Sequence, residues 1–303
     1  MPIRPPASQL SPAGAIVQGF WSGPPLSDVH WACFRSFLSL GHQFHLYSYQ
    51  ALPVPAGVRL EDANKIVPQK DIFYFENKLT QTRDIAPFAD YFRLKLLYEV
   101  GGWYCDIDTV CLSSDLPVGS RVWASQCPEL KEKDSTNNDL LFFKKKDPLV
   151  QILLERCRDS IPRLKRRETL GPILLTSILQ EMGLPKDMLA GAETFHPIRW
   201  VEAFKLWLPE FVDEVEGRIK FSTFLAIYQS FPLYVGFDPY KRPPKGSYLS
   251  KLLNKFVPES TGVEHEADDV RRLTSRWLRS NIWAIEWLES INGPPDWREM
   301  LQP

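Results

Sequence analysis

Asp106 and Asp108 stand on either side of Ile107, directly after the apolar run Trp103-Tyr104-Cys105. Alternate residues of an extended chain share a face, so both carboxylates project the same way while Ile107 turns inward. Two carboxylates that close repel each other unless a cation lies between them. A hard divalent ion such as Mn²⁺ or Mg²⁺ answers that need, because it takes one or two carboxylates and completes its shell with water and substrate phosphate. An Asp-x-Asp pair also occurs as two solvated residues in a turn, and the pair alone leaves both readings open. Asp90 and Arg93, three residues apart, lie just upstream. The planar fork of Arg93 suits a phosphate or a pair of sugar hydroxyls.

The elements that must position these residues can be read around them. Phe88, Tyr91, Leu94 and Tyr98, with Phe92, Leu96 and Leu97, recur at three- and four-residue steps, which predicts an amphipathic helix. Asp90 and Arg93 then project from neighbouring points of one helix face. Gly101-Gly102 stops the helix, and Trp103 to Cys105 forms a buried strand that delivers Asp106. Ile16 to Trp21 reads as a first strand, Ser27-Asp28 caps a helix to Leu40, and His42 to Tyr49 is a second strand. That order is a βαβ unit, so the sheet starts parallel. Trp21 offers either a stacking face for a base or a core side chain. Val58 to Leu60 and then Asp62 to Pro68 lead into a loop before the central helix.

Beyond the aspartates, Val122 to Gln126 and Leu140 to Phe143 read as strands around a polar turn, 134–139. Helices are expected at Leu149 to Cys157 and from Pro172 to Met182, the second with proline at its first position. The N-terminus of that second helix either faces a phosphate or only packs. One long C-terminal helix, Glu266 to Ile291, would set Val270, Leu273, Trp277, Ala284, Leu288 and Ile291 on one face, with Trp283 and Trp287 beside them.

The ordered set Asp90-x-x-Arg93, Gly101-Gly102-Trp103-Tyr104 and Asp106-Ile107-Asp108 resembles the signature of the DXD-containing sugar transferases. These include the initiating outer-chain mannosyltransferases, bacterial capsule and lipooligosaccharide transferases and the large glucosylating toxins. Val58-Arg59-Leu60-Glu61-Asp62-Ala63-Asn64 and Gly171-Pro172-Ile173-Leu174-Leu175-Thr176 extend the likeness. It implies an α/β, GT-A-like fold: a mixed, mostly parallel sheet flanked by helices over residues 15–255, preceded by a disordered or extended stretch at 1–14. A C-terminal helical extension, 256–303, would pack on that domain. It implies Asp106 and Asp108 as ligands of Mn²⁺ or Mg²⁺, and these two with Arg93 as the catalytic set. Donor binding would fall to Trp21, Asp90, Arg93, Gly102, Asn137 and Asn138. The partners would be a UDP- or GDP-sugar and a glycan or lipid-linked acceptor, and transfer would retain the anomeric configuration in glycan or surface-polysaccharide synthesis. The sequence departs from the pattern at Asp139, where a small residue is usual, and at Ile227, where relatives carry a histidine. Gln229, Ser230, His196 or water are the substitutes available for that histidine. Its loss also keeps open a non-catalytic nucleotide-sugar-binding protein of the same fold.

Composition narrows the alternatives. A net charge of −1 gives no field to recruit nucleic acid. The five cysteines, an odd number without a Cys-x-x-Cys, argue against a disulfide framework or zinc site and for a reducing, cytoplasmic setting. No Gly-x-x-x-x-Gly-Lys-Ser/Thr is present, and the five histidines lack the ligand spacing of a two-metal hydrolase. No run approaches the ~20 apolar residues of a membrane span. Basic runs at Lys144-Lys145-Lys146, at Arg163 and at Lys165-Arg166-Arg167, with Arg271, Arg272, Arg276 and Arg279 beside the C-terminal tryptophans, suit peripheral contact with the inner face of a membrane. The competing reading is solvated charge around a core tryptophan stripe.

Overall fold

The computed structural model describes residues 10–11, 14–77, 82–133, 135–189 and 191–292. The expected N-terminal extension at 1–14 therefore falls almost wholly outside the described residues, as does the chain beyond 292. The strands that matter for the site are β1 (Ile16–Trp21), β2 (Gln43–Ser48), β3 (Val58–Asp62), β4 (Gly102–Cys105), β5 (Thr109–Cys111), β6 (Arg121–Val122), β7 (Leu140–Phe143) and β8 (Phe224–Ala226). Six of them make one sheet in the order β6-β7-β4-β1-β2-β3. The β4–β1, β1–β2 and β2–β3 pairings are parallel, while β7 runs antiparallel to both β4 and β6. β8 pairs antiparallel with β5 in a separate two-stranded sheet.

Side chains alternate across the main sheet, as period two requires. Trp103, Cys105, Phe44, Leu46 and Val17 pack with Phe34 and Phe37 of α1 (Asp28–Ser39) on one face. Tyr104, Phe20, Leu141 and Phe143 pack on the other face with Phe88 and Phe92 of α2 (Ala86–Glu99). The same layer takes in Leu153 of α3 (Pro148–Ser160) and Ile178 of α4 (Pro172–Glu181). This is the mixed, mostly parallel α/β architecture with helices on both faces. The five cysteines are buried and in no disulfide among the described residues.

Three expectations change. Val58 to Leu60 is not the start of a loop but a sheet strand, because its backbone completes the parallel ladder beside β2. Of the expected strand Val122 to Gln126 only Val122 is in one, β6, since Trp123 bridges instead to Met188 and Leu189, and Ser125 to Thr136. The single C-terminal helix is two, α6 (Ala267–Ser280) and α7 (Ile282–Asn292), after a short α5 (Phe231–Val235). Asn281 leaves the helical region (φ −132°, ψ 77°) and its side chain donates to the Trp277 carbonyl. Asparagine ends one helix and begins the next because its short amide competes for backbone partners. The predicted buried face survives the break: Val270, Trp277, Ala284 and Leu288 join the core around Phe204 and Trp207, with Leu273 and Ile291 partly buried against it.

Candidate active site

From β1 the chain moves outward through α1 to β2 and β3, then returns through α2 to β4 on the opposite side of β1. The strand order therefore reverses between β1 and β4, and a crevice opens at the carboxyl ends of strands at such a point. Trp21 ends β1, and Asp106 follows the last residue of β4. Both line a cavity of about 920 Å³.

Gly19 lets the two strands deliver their ends this close, since a Cβ there would lie 2.8 Å from Ile107 Cγ2 and 3.0 Å from the Cys105 carbonyl. Ile107 is buried, so the turn presents Asp106 and Asp108 together to the cavity. The neighbouring backbone fixes that turn. The Asp106 N–H donates to the Asp139 carbonyl (2.8 Å), and the Ile227 N–H donates to the Asp108 carbonyl (2.9 Å).

Arg93 reaches the site from α2. Its Nη2 donates to Asp106 Oδ1 at 2.7 Å, its Nη1 to the Asn138 carbonyl, and its guanidinium lies 4.6 Å above the Tyr104 ring. Asp90, one turn earlier, accepts from Asn138 Nδ2 (2.7 Å) and sits 3.4 Å from Arg93 Nη1. A Cβ on Gly171 would meet Asp90 Oδ2 at 2.7 Å, so glycine at the head of α4 is what admits this pair. The start of α4 thus packs against the site residues rather than standing apart from them.

The charges are unbalanced. Burial pushes the Asp106 carboxyl up to about 7, with Asp108, Asp139 and Asp90 adding to the rise and Arg93 opposing it. Asp108 and Asp90 are likewise held above the usual carboxylate range, chiefly by burial. Burial alone would lower Arg93, but the surrounding Asp106, Tyr104 and Asp90 outweigh it and fix the guanidinium as charged. Arg93 thus pairs with Asp106 and Asp90, while Asp108 accepts from the Gln229 N–H and Asp139 faces His196.

Asp106 and Asp108 fit a divalent ion in donor chemistry, being hard oxygens on one cavity wall. Among the described residues no group of three or more His, Cys, Asp or Glu is arranged to hold a metal. The residues that would hold such an ion are the aspartate pair. Ile227 is fully buried and offers its backbone, not a ligand. Of the substitutes for a histidine, Gln229 donates its N–H to Asp108 Oδ2 (3.0 Å) and its Nε2 to Ser27 Oγ (2.6 Å). Ser230 lines the cavity, whereas His196 lies behind Asp139, with Nε2 2.9 Å from Asp139 Oδ1.

Residues 39–127 match the family model described as "Glycosyltransferase sugar-binding region containing DXD motif". Over those residues, fewer than half of the chain, it is similar to the DXD-containing sugar-binding region of glycosyltransferases. Among solved structures, "PaToxG Glycosyltransferase" is similar at 17% identity, covering 57% of this chain and 71% of that one, with a TM-score of 0.40. The glycosyltransferase GlyE of Streptococcus pneumoniae TIGR4 is similar at 13% identity over 83% of this chain and 65% of that one, with a TM-score of 0.38. No curated protein matches the chain.

Within this DXD region and its surroundings, the cavity brings together Trp21, Asp90, Arg93, Asp106, Asp108, Asn137 and Asn138. Gly102 is not among its lining residues. It starts β4, at the end away from Asp106, and its φ of +93° explains the glycine without any ligand. Trp21 lines the cavity while its ring packs 4.6 Å from that of His30 and its Nε1 donates to the Pro24 carbonyl. Sequence reasoning did not assign Asp139, His30 or Trp200 to the site, though all three belong to it or touch it. Asp139 carried a signal, since a carboxylate stands where a small residue was expected. Trp200 carried none, because nothing in its local sequence shows which way it faces.

Proposed function

We propose that this chain is a glycosyltransferase that moves a sugar from a nucleoside-diphosphate sugar to an acceptor hydroxyl, as part of glycan or polysaccharide synthesis. One observation supports the reading above others: the Arg93–Asp106 pair sits at the strand-order reversal, with Trp21 on the adjoining strand end. Asp106 and Asp108 would hold Mn²⁺ or Mg²⁺, which supplies charge neutralisation at the departing diphosphate. Arg93 keeps Asp106 oriented and adds a fixed positive charge where negative charge develops on the leaving group. Asn138 and Asp90, tied to each other, present an amide and a carboxylate suited to donor sugar hydroxyls. Trp21 supplies an aromatic wall for the base. Transfer would retain the anomeric configuration, as the resemblance implies. The odd number of cysteines without a Cys-x-x-Cys supports a reducing, cytoplasmic site of action.

The test is turnover of a panel of UDP- and GDP-sugars by purified protein with Mn²⁺ or with EDTA. Asp106→Asn and Asp108→Asn should each lower turnover by at least about a hundredfold, the usual scale for losing a preorganised electrostatic group. Near-normal turnover of either variant in EDTA would overturn the metal assignment. Buried Ile227 in place of a histidine favours the second reading, a nucleotide-sugar binder without turnover. Binding of a donor with no hydrolysis or transfer would establish that reading instead.

A further inference from the structure

The cavity has walls beyond those that carry the aspartates and Arg93. At about 920 Å³ it lies near the top of the roughly 300–1,000 Å³ range of ordinary ligand sites. The donor-side residues occupy one end. The other end is walled by Trp200, Tyr234, Trp277, Trp283 and Trp287, and the helices that bring most of them lie outside residues 39–127. A short step joins the two ends: Gln229 donates to Asp108, and five residues on, in α5, Tyr234 packs on Trp200 with ring centroids 5.4 Å apart.

These rings form a rigid corner. Trp200 stacks on Trp283 at 6.1 Å and 18°, and receives the edges of Tyr234 at 85° and Trp277 at 71°. Trp283 in turn meets Trp287 at 5.4 Å and 80°. Trp277 is 9% exposed, whereas Trp283 is 42% and Tyr234 48% exposed, so the outer rings offer surface while the inner ones hold them. Polar groups are set among the rings. Arg167 donates to the Tyr234 hydroxyl (2.8 Å) and pairs with Asp84 (2.8 Å), Asn281 accepts from Trp283 Nε1 (3.2 Å), and Glu168 also lines the cavity.

We propose that this aromatic corner is the acceptor subsite and that the acceptor is a glycan, one of whose pyranose rings lies on Trp283 and Tyr234. The inference rests on the donor reading above and adds the acceptor class to it. A pyranose presents an apolar C–H face together with hydroxyls at its rim. Flat aromatic rings match the face, and interleaved amide, carboxylate and guanidinium groups match the rim. A lipid tail would instead desolvate Glu168 and the Arg167–Asp84 pair. The charge pattern argues the same way. Lys144-Lys145-Lys146 lies beside Gly101, at the end of β4 away from the cavity. Arg271 is paired with Glu210 and Asp268, and Arg272 with Asp269. Lys144-Lys145-Lys146 thus stands away from the cavity, and Arg271 and Arg272 are taken up in ion pairs.

The full chain, with Mn²⁺ and UDP or GDP present, is applied to a printed glycan array and separately to phosphatidylglycerol vesicles, and the Kd of the best-bound glycan is measured by calorimetry. Wild type should bind at least one oligosaccharide. Trp283→Ala and Tyr234→Ala should each weaken its Kd by about tenfold or more, as expected for removing an aromatic anchor, and Trp283→Phe should restore most of it. Wild type that binds no printed glycan, variants with unchanged Kd, or vesicle pelleting without glycan binding would each overturn the proposal. UDP and GDP binding by wild type is measured alone. Nucleotide binding without glycan binding defeats only the acceptor inference, glycan binding without nucleotide binding defeats only the donor reading, and binding of neither defeats both.

Discussion

Burial leaves the Arg93 guanidinium, 4% exposed, with Asp106, Asp90 and the Asn138 carbonyl as its partners, while its Nε has none. Lysine keeps the charge but cannot serve Asp106 and the Asn138 carbonyl from one plane. Arg93→Lys should therefore lower turnover by at least about tenfold, and destabilise the fold by about 3 kcal/mol, the scale for breaking a buried ion pair. Steady-state kinetics and urea unfolding measure the two effects, and wild-type kinetics would show that the fork has no role. A second residue-scale expectation concerns His30. Its Nδ1 accepts the Ser27 N–H at 2.9 Å, and burial lowers its pKa from 6.5 to about 3. The unfolded chain then binds the proton more readily, so this contribution to stability is complete above about 6.5 and is lost as pH falls toward 3. His30→Gln keeps a capping-box acceptor at the third helical position without the titration. Its unfolding midpoint should fall less than that of wild type between pH 6.5 and 4.5, and parallel curves would refute the role of His30.

Elements rather than single side chains decide where the aspartates arrive. The Gly101-Gly102 turn has φ of +74° and +93°, and a Cβ on Gly101 would lie 2.4 Å from the Lys145 nitrogen. At Gly102 the nearest atom is 3.4 Å away, on the Gln18 side chain. Gly101→Ala should thus cost at least about 2 kcal/mol, more than Gly102→Ala, where only the backbone conformation resists. Chemical denaturation of the two variants gives the order, and the reverse order would contradict this account of the turn. The same turn marks how far the sequence can be read. Helix α2, the glycine stop, β4 and the aspartate pair lie within one short stretch, and local periodicity encodes them. Asp139 and His196, or Asn138 and Gly171, meet only through the tertiary fold, and no spacing announces them. The break at Asn281 escaped because the apolar face continues through it from Trp277 to Ala284 and Leu288. The tryptophan stripe, left between core and membrane contact, is divided by its helices: Trp277 is buried while Trp283 stands at the cavity.

At the scale of the whole molecule, the cavity is a place where the fold gives up stability. Asp90, Asp106 and Asp108 are each held above the usual carboxylate range, mainly by burial. A carboxyl whose folded pKa exceeds its unfolded value favours the folded state when protonated and opposes it once ionised, so at neutral pH the opposition is present. Asp108 is the cleanest place to observe this. Among the described residues it has no ion pair, and an asparagine oxygen could still accept the Gln229 N–H. Asp108→Asn should therefore raise the thermal midpoint of protein kept in EDTA at pH 7.5, while losing turnover, the exchange of stability for function expected of a charged site. Added Mn²⁺ with UDP should raise the wild-type midpoint by mass action and leave Asp108→Asn nearly unmoved. Differential scanning calorimetry of both proteins, with and without the ligands, supplies all four midpoints. A variant that melts below wild type in EDTA, or that gains as much from Mn²⁺ and UDP, would show that the aspartate is a structural residue rather than one retained for a cation.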